Sequence, residues 1–451
     1  MEEEPSKSKQ VSGFSKLSKR GKLGWIVNNF FKDPELVMKE LVSYWHHDED
    51  EQKIIDGMSE NTISNFILPY SVAPNFVINQ REYAVPLVIE ESSVVAAASN
   101  AAKFWSERGG FHARVISRIK EGSVYFLFKG NFQVLENNKQ ALLGEIKSGC
   151  KDITRRMDER GGGILDLAFE DLSNEEPDSY KLTLYFDTCD SMGANFINSV
   201  LESSSKILER WIYSPEISES ATTYYETIMC ILSNYTPRCV AEAWVTCPIS
   251  ALGKINGMLP DEFADRFYKA VRIAQIDPSR ATTHNKGIFN GIDALVLATG
   301  NDFRAIEAAG HTYAARSGKY SSLSECTIDN DIFTFRIELP LSIGTVGGLT
   351  KLHPIARRSL ELLGHPSADE LMMILASTGL AQNFAAVRSL VTTGIQKGHM
   401  RMHLQNIAWQ LNATTEEFAA IQAHFADKTI SYADVVNFLD NLRSNNGVIA
   451  Q

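Results

Sequence analysis

Cysteine is scarce: there are six in 451 residues, at positions 150, 189, 230, 239, 247 and 326, with no Cys-x-x-Cys pair and no ladder of short spacings. That argues against a disulfide framework and a zinc ribbon, so no metal is expected, and it points to a reducing compartment, read here as the cytoplasm. No uncharged apolar run reaches the roughly 18 residues that span a bilayer. Met1 to Lys22 carries Glu, Lys and Ser without an apolar stretch, so neither an export signal nor a membrane anchor is expected. Positive charge is also in deficit: 44 Lys plus Arg stand against 55 Asp plus Glu, a formal charge of −11. No global positive field exists to condense onto nucleic acid or anionic lipid, and neither is expected as a partner. A locally basic pocket for a phosphate-bearing ligand is compatible with this balance. Two common phosphate cradles are missing as well. No GxGxxG follows a strand and no GxxxxGK[ST] occurs, so any bound nucleotide sits on something other than an ordinary Rossmann domain.

What is present suits a folded protein of two or three domains, with 44% hydrophobic and 22% charged residues. Apolar spacing predicts helices over Leu23 to Glu40 and Gln52 to Phe66. Phe76 to Glu91 reads as strand, turn at Asn79-Gln80-Arg81, and strand, followed by a serine-capped helix through the alanine-rich run Val94 to Ala102. Beyond Gly109-Gly110, strands are expected at Ala113 to Ile119 and Ser123 to Phe128, then a helix to about Lys147. A strand pair follows, Ile153 to Phe169 and Leu182 to Asp187, and then a helix from Met192 to Ile212. This order suggests an inserted α+β unit of roughly a hundred residues. Ala241 to Ile249 reads as strand and Pro260 to Ala274 as helix. Thr283 to Gly300 is the most glycine-punctuated part, and from about Ala368 the chain is predominantly helical with a break at Gly398.

Five places carry candidate chemistry. The strand ending at Asp187 runs into Asp190-Ser191-Met192-Gly193-Ala194-Asn195, where Gly193 either admits a pyrophosphate to the free N–H groups of a helix start or only permits close packing. Arg280 to Asp293 is a polar segment between apolar elements; it holds Lys286 either in solvent or partly desolvated, where it attracts a developing oxyanion. Asp302 precedes a helix as its N-cap, a role compatible with catalysis. Glu90-Glu91 ends an apolar strand, as a solvated pair or as a buried carboxyl with raised pKa. His399 follows the glycine stop of a helix, where a solvated side chain is the plainer reading.

Taken together, six segments resemble the class II, soluble bacterial-type 3-hydroxy-3-methylglutaryl-CoA (HMG-CoA) reductases. They are Glu91 to Ser99, Asp190 to Asn195, Thr283-His284-Asn285-Lys286-Gly287, Ala298 to Asp302, Gly344-Thr345-Val346-Gly347-Gly348 and Gly398-His399-Met400, within a likeness running from Gly13 nearly to the C-terminus.

The resemblance implies an α+β fold. A discontinuous large HMG-CoA-binding domain spans 1–110 and 219–380, a small ferredoxin-like, non-Rossmann NAD(P)-binding domain 111–218, and a helical flap 386–451. It implies Glu91, Lys286, Asp302 and His399 as catalytic residues. Lys286 stabilises the oxyanion, His399 protonates the leaving CoA thiolate, Glu91 supplies a proton to the carbonyl oxygen, and Asp302 orients Lys286. Ser93, Asn234, Arg280, Gln382 and Asn383 are implied in binding HMG-CoA, and Asp190, Ser191, Met192, Gly193 and Asn195 in holding the dinucleotide. Gln140 stands where an NAD-preferring relative has an acidic residue, and Lys139 is placed to attract a 2′-phosphate, which favours NADPH over NADH. The implied reaction is reduction of HMG-CoA to mevalonate and CoA with two NAD(P)H, in a homodimer or a multiple of it whose sites lie between subunits. The same groups also serve mevalonate oxidation. A non-catalytic CoA-ligand sensor of the same fold would be expected to have lost one of the four catalytic residues, and all four are present.

Overall fold

The structure, a computed structural model that describes residues 9–215, 217, 223–392, 394, 404–405, 407–425 and 431–447, opens on helices divided by capping chemistry. Asp33 accepts a hydrogen bond from the Leu36 N–H and Pro34 takes the first helical position. The run expected as one helix is therefore two, α1 (Lys19–Phe30) and α2 (Pro34–Ser43). A third, α3 (Glu49–Asp56), stops at Gly57. The remainder to Phe66, expected as helix, is irregular, and Asn61 at φ 59 takes left-handed backbone that no helix absorbs.

β1 (Tyr70–Ile78) and β2 (Arg81–Val88) form an antiparallel hairpin whose turn residues Asn79 and Gln80 both have positive φ, 47 and 68. β2 feeds α4 (Ser92–Ser106), followed by β3 (His112–Arg118) and β4 (Lys120–Lys129). Three helices follow, α5 (Phe132–Asn137), α6 (Lys139–Gly149) and α7 (Lys151–Asp158), then β5 (Gly163–Asp171), β6 (Ser179–Asp187), α8 (Ala194–Ile212) and β7 (Tyr224–Leu232). Ile153 to Asp158, expected in a strand, thus belongs to α7: Thr154 and Met157 are buried on one face at helical spacing, with Arg155 and Arg156 outside. The four strands β5-β6-β4-β7 form an antiparallel sheet in the chain order βαββαβ. It has its own hydrophobic core, with Phe126, Leu184, Phe186, Leu201 and Leu208 fully or nearly buried.

The larger core belongs to the sheet β3-β8-β10-β9, with β8 (Cys239–Pro248), β9 (Ser324–Asp329) and β10 (Ile332–Pro340). β3 pairs with β8, and β7 pairs with β4. The hydrogen bonding therefore passes between sheets at Ile119 and after Leu232, not at the sequence boundaries of 111 and 218. Against this sheet lie α9 (Pro260–Ile276), α11 (Phe303–Ala314) and the long α14 (Ala368–Val391), while α10 (Pro278–Ala298) packs on α9, α11, α14 and β2, and the short α12 (Gly348–Leu352) adjoins α13 (Pro354–Leu362), which rests on α10 and β2. The glycine-punctuated polar segment is therefore a helix interior. Phe384 of α14 anchors the assembly, its ring 5.2 Å from Phe104, 5.1 Å from Trp105 and 5.4 Å from Phe267. Residues 386 to 391 continue α14, so the helix runs through the sequence boundary at Ala386. A third small core, including Leu404, Ile421 and Leu439, joins α15 (Thr415–His424) and α16 (Tyr432–Gly447). The architecture is mixed α+β, as expected, and no helix among the described residues is long and apolar enough to cross a membrane.

Where α10 meets α11, Asp293 and Glu307 share a hydrogen bond between two carboxyls, and burial followed by the Glu307 charge pushes the Asp293 carboxyl well above its ordinary value. The unfolded chain ionises Asp293 near 3.8, while the folded chain keeps the proton to higher pH. Folding stability therefore falls as pH rises from that value toward the raised one. Asp293→Asn is expected to gain stability relative to the parent between pH 5 and 8, on the order of 2 kcal/mol. Denaturant midpoints at the two pH values measure this, and a parent-to-variant difference independent of pH contradicts it.

Candidate active site

Glu91 occupies the turn from β2 into α4. It stands at the helix N-cap with an extended backbone, φ −104 and ψ 108, yet its side chain makes no capping bond. The carboxylate instead accepts a hydrogen bond from the Ser93 hydroxyl and faces the Lys286 ammonium, Oε2 to Nζ 3.8 Å. The expected serine cap is thus absent, because Ser93 serves the carboxylate. Glu90 is exposed and lies outside the cavity that Glu91 lines.

Lys286 is carried by α10, which starts where Asp277 accepts from the Ser279 N–H and Pro278 takes the first helical position. Arg280, Thr283, His284, Gly287 and Asn290 recur at spacings of three and four, so they share one face. With Lys286 they line a cavity of about 790 Å³, closed by Ser93 and Asn100 of α4 and by Gln382, Asn383, Arg388 and Ser389 of α14. Of the expected substrate residues, the fold therefore gathers Ser93, Arg280, Gln382 and Asn383 around Glu91 and Lys286.

Among the described residues, Arg280, Lys286 and Arg388 share this wall with a single carboxylate, Glu91. Burial lowers the pKa of both guanidinium groups, and Arg108 adds repulsion at Arg388. Cations held with reduced hydration attract an anionic ligand more strongly than the same cations in water. The Glu91 and Lys286 side chains are 34% and 64% exposed, and an ion pair so exposed adds less than about 1 kcal/mol to stability. Arg388 was not singled out from the sequence, where nothing local marks an arginine near the end of a helix as turned into a cavity. Thr283 and Asn290 are legible only once Arg280 is known to start a helical face.

Asp302 and Asn234 lie elsewhere. Asp302 caps α11, its Oδ1 accepting from the N–H groups of Arg304 at 3.0 Å and Ala305 at 3.3 Å, and it pairs with the Arg304 guanidinium at 3.0 Å. Burial pushes this carboxyl up, but the Arg304 guanidinium and the two amides outweigh it and hold the pKa below its ordinary value. In this geometry Asp302 engages Arg304, not Lys286, because the N-cap position turns its carboxylate toward the first turn of its own helix. Asn234 lines a separate small pocket with Met192, Thr236, Ala305 and Ser342. His399 lies outside the described residues.

The turn before α8 is fastened by backbone contacts. Gly193, at φ 87, is the N-cap and offers no side chain to the first-turn amides, so α8 starts at Ala194 and not at Met192. The Asp190 carbonyl accepts from the Thr345 N–H at 2.8 Å, and its carboxylate from the Ala368 N–H at 2.7 Å. A Cβ on Gly344 would lie 2.4 Å from the Met192 nitrogen, so only glycine admits this approach. Beneath the turn, buried Lys120 donates to Thr188 Oγ1 and the Ser191 carbonyl, both at 2.7 Å, to the Met192 carbonyl at 3.1 Å and to the Ile343 carbonyl at 3.4 Å. Sequence reasoning missed Lys120, since nothing local distinguishes a buried lysine at the start of a strand. Lys139 pairs with Glu136 at 3.2 Å and Gln140 is exposed on α6. Among the described residues no three His, Cys, Asp or Glu side chains are grouped to hold a metal ion.

A sequence profile of hydroxymethylglutaryl-coenzyme A reductase matches residues 29–404. The 3-hydroxy-3-methylglutaryl-coenzyme A reductase of Archaeoglobus fulgidus is 35% identical over 97% of this chain and 95% of its own. The probable 3-hydroxy-3-methylglutaryl-coenzyme A reductase of Borreliella burgdorferi is 31% identical over 88% of each chain. The solved class II reductase of Streptococcus pneumoniae, bound to NADPH in open conformations, superposes with a TM-score of 0.69 at 37% identity, covering 91% of this chain and 100% of that one. The matched span contains both the lysine–carboxylate cavity and the glycine-fastened turn, and the chain belongs to the hydroxymethylglutaryl-coenzyme A reductase family.

Proposed function

We propose that the chain reduces the HMG-CoA thioester in the cavity between α4, α10 and α14, with Lys286 and Glu91 acting on the carbonyl oxygen. The supporting observation is the 3.8 Å pair of Lys286 Nζ and Glu91 Oε2 on a wall whose other charged side chains, among the described residues, are the guanidinium groups of Arg280 and Arg388. Lys286 stabilises the negative charge that grows on the thioester oxygen as the hemithioacetal forms. Collapse expels CoA as a thiolate, and His399 protonates it. Glu91, oriented by Ser93, gives the aldehyde oxygen its proton in the second reduction. Arg280 and Arg388 hold anionic groups of the substrate. Asp302 acts on Lys286 in the liganded state, after exchanging its Arg304 contact.

A nicotinamide cofactor, when bound, supplies the two hydrides. Its fit is supported at the α8 start, where Gly193 leaves the amides of Ala194 and Asn195 without a side-chain cap. In this reading the sheet β5-β6-β4-β7 with its helices is the dinucleotide unit and the residues after α14 form the flap. A homodimer with sites between subunits is supported by exposed apolar side chains such as Phe66, 91% exposed, and Leu352, 61% exposed. The cytoplasm is the proposed location. The direction is taken as reductive, toward mevalonate.

A spectrophotometric assay with HMG-CoA tests the reading. Lys286→Ala is expected to lose about 10²-fold or more in kcat with an unchanged melting temperature, and unaltered turnover would overturn the assignment. NADPH is proposed as the preferred cofactor because Gln140 offers no carboxylate against a 2′-phosphate and the solved Streptococcus relative is bound to NADPH. The ratio of kcat/KM for NADPH to that for NADH is expected to exceed one, and a ratio well below one contradicts the proposal. Truncation after Thr392, which spares α14, is expected to abolish thioester reduction while the remaining chain melts cooperatively; full activity in the truncated chain defeats the flap.

A further inference from the structure

Beside Lys286 the cavity wall contains a buried polar chain that the reaction scheme leaves unused. His284 of α10, 2% exposed, and Asn383 of α14, 1% exposed, both line the cavity. Both also reach Ser324 at the start of β9. His284 Nε2 lies 2.6 Å from Ser324 Oγ, and Ser324 Oγ donates to Asn383 Oδ1 at 2.8 Å. The Asn383 amide nitrogen in turn donates to the His284 backbone carbonyl at 3.4 Å.

These contacts fix the protons. A backbone carbonyl only accepts, so the end of the Asn383 amide facing it is the NH2 and the other end is oxygen. That oxygen also only accepts, so Ser324 gives it its single hydroxyl proton. His284 Nε2 must then carry the ring proton and donate it to Ser324, which leaves Nδ1 as an acceptor. Burial, reinforced by Arg280 and opposed by Asn383, pushes the imidazole down to about 3, so the ring is neutral near pH 7. Nδ1 is buried and has no hydrogen-bond partner among the described residues, and the same holds for Oε1 of the neighbouring Gln382. Acceptors of this kind are costly until a donor reaches them, so the wall selects a ligand that brings one.

The acyl group of the substrate has few donors to bring. Its carboxylate and its thioester carbonyl only accept, and its tertiary 3-hydroxyl is its one donor. We propose that His284 is a specificity-determining residue whose Nδ1 accepts a hydrogen bond from the 3-hydroxyl of the HMG group, with Ser324 and Asn383 holding the ring in the Nε2–H tautomer. The proposal rests on the assignment of this cavity to the thioester. It gives the chain a means to reject acyl-CoA thioesters of the same size that lack the hydroxyl.

The test compares HMG-CoA with 3-methylglutaryl-CoA, the same thioester without the hydroxyl, binding to the full-length chain. The parent is expected to favour HMG-CoA by about tenfold or more. His284→Phe is expected to bind the two within about twofold, chiefly by losing affinity for HMG-CoA. A variant that folds and keeps the parental preference overturns the proposal. A second measurement needs no substitution: in the ¹⁵N-histidine spectrum of the parent, HMG-CoA should shift the bare Nδ1 resonance of His284 and 3-methylglutaryl-CoA should leave it near its free value. Equal shifts from both thioesters overturn the hydroxyl contact while leaving the cavity assignment standing. Binding of both with no shift from either overturns the cavity assignment, and the contact with it.

Discussion

The site depends on how closely α10 approaches α14. Two glycines permit that approach: a Cβ on Gly291 would lie 3.1 Å from the Thr378 carbonyl oxygen, and one on Gly379 would lie 2.8 Å from the Ile292 side chain. Packing this tight turns Lys286 and Arg280 on one helix and Gln382 and Asn383 on the other toward a shared space. α4 is fixed to α14 through the stacked rings of Phe104 and Phe384, and so Glu91 at its N-terminus is brought to Lys286 without an ideal ion-pair distance. Core packing sets the geometry, and the weak exposed charge pair inherits it.

A chain with a formal charge of −11 must bind two anionic ligands against its own global field. It does so locally. Arg280 and Arg388 are drawn partly out of water, where burial disfavours their charge. An anionic ligand in this cavity would supply the counter-charge that these guanidinium groups lack. The turn at Asp190 to Gly193 uses a second local device, with its carbonyls drawn down onto Lys120 while Gly193 leaves the helix amides uncapped. In that reading, positive potential among the described residues comes from half-buried guanidinium groups in one place and from backbone amides in the other.

Much of this was legible in the sequence where chemistry and local structure coincide. Glu91 between an apolar strand and an alanine-rich run, and Gly193 after a strand, announce themselves as element boundaries. The helical identity of α10 was hidden, because Gly287, Gly291 and a polar run weaken helix propensity and only packing on α14 overrides them. The segment 153–158 is helical where a strand is expected, because a short apolar run does not distinguish strand from helix. Lys120, Arg388 and the His284–Ser324–Asn383 chain join residues distant in sequence, so no local pattern reports their burial. The position of Asp302 before a helix reads correctly as a cap, and its pairing with Arg304 in place of Lys286 is a local consequence of that cap, since the N-cap carboxylate faces the first turn of its own helix.

The central claim is that packing of α4, α10 and α14 creates the place where the thioester is held for reduction. A crystal structure of the full-length chain with HMG-CoA tests it most directly. The account predicts the acyl group between these three helices with its thioester oxygen within hydrogen-bond distance of Lys286 Nζ. An ordered thioester elsewhere on the molecule, with Lys286 and Glu91 facing only solvent, would contradict it.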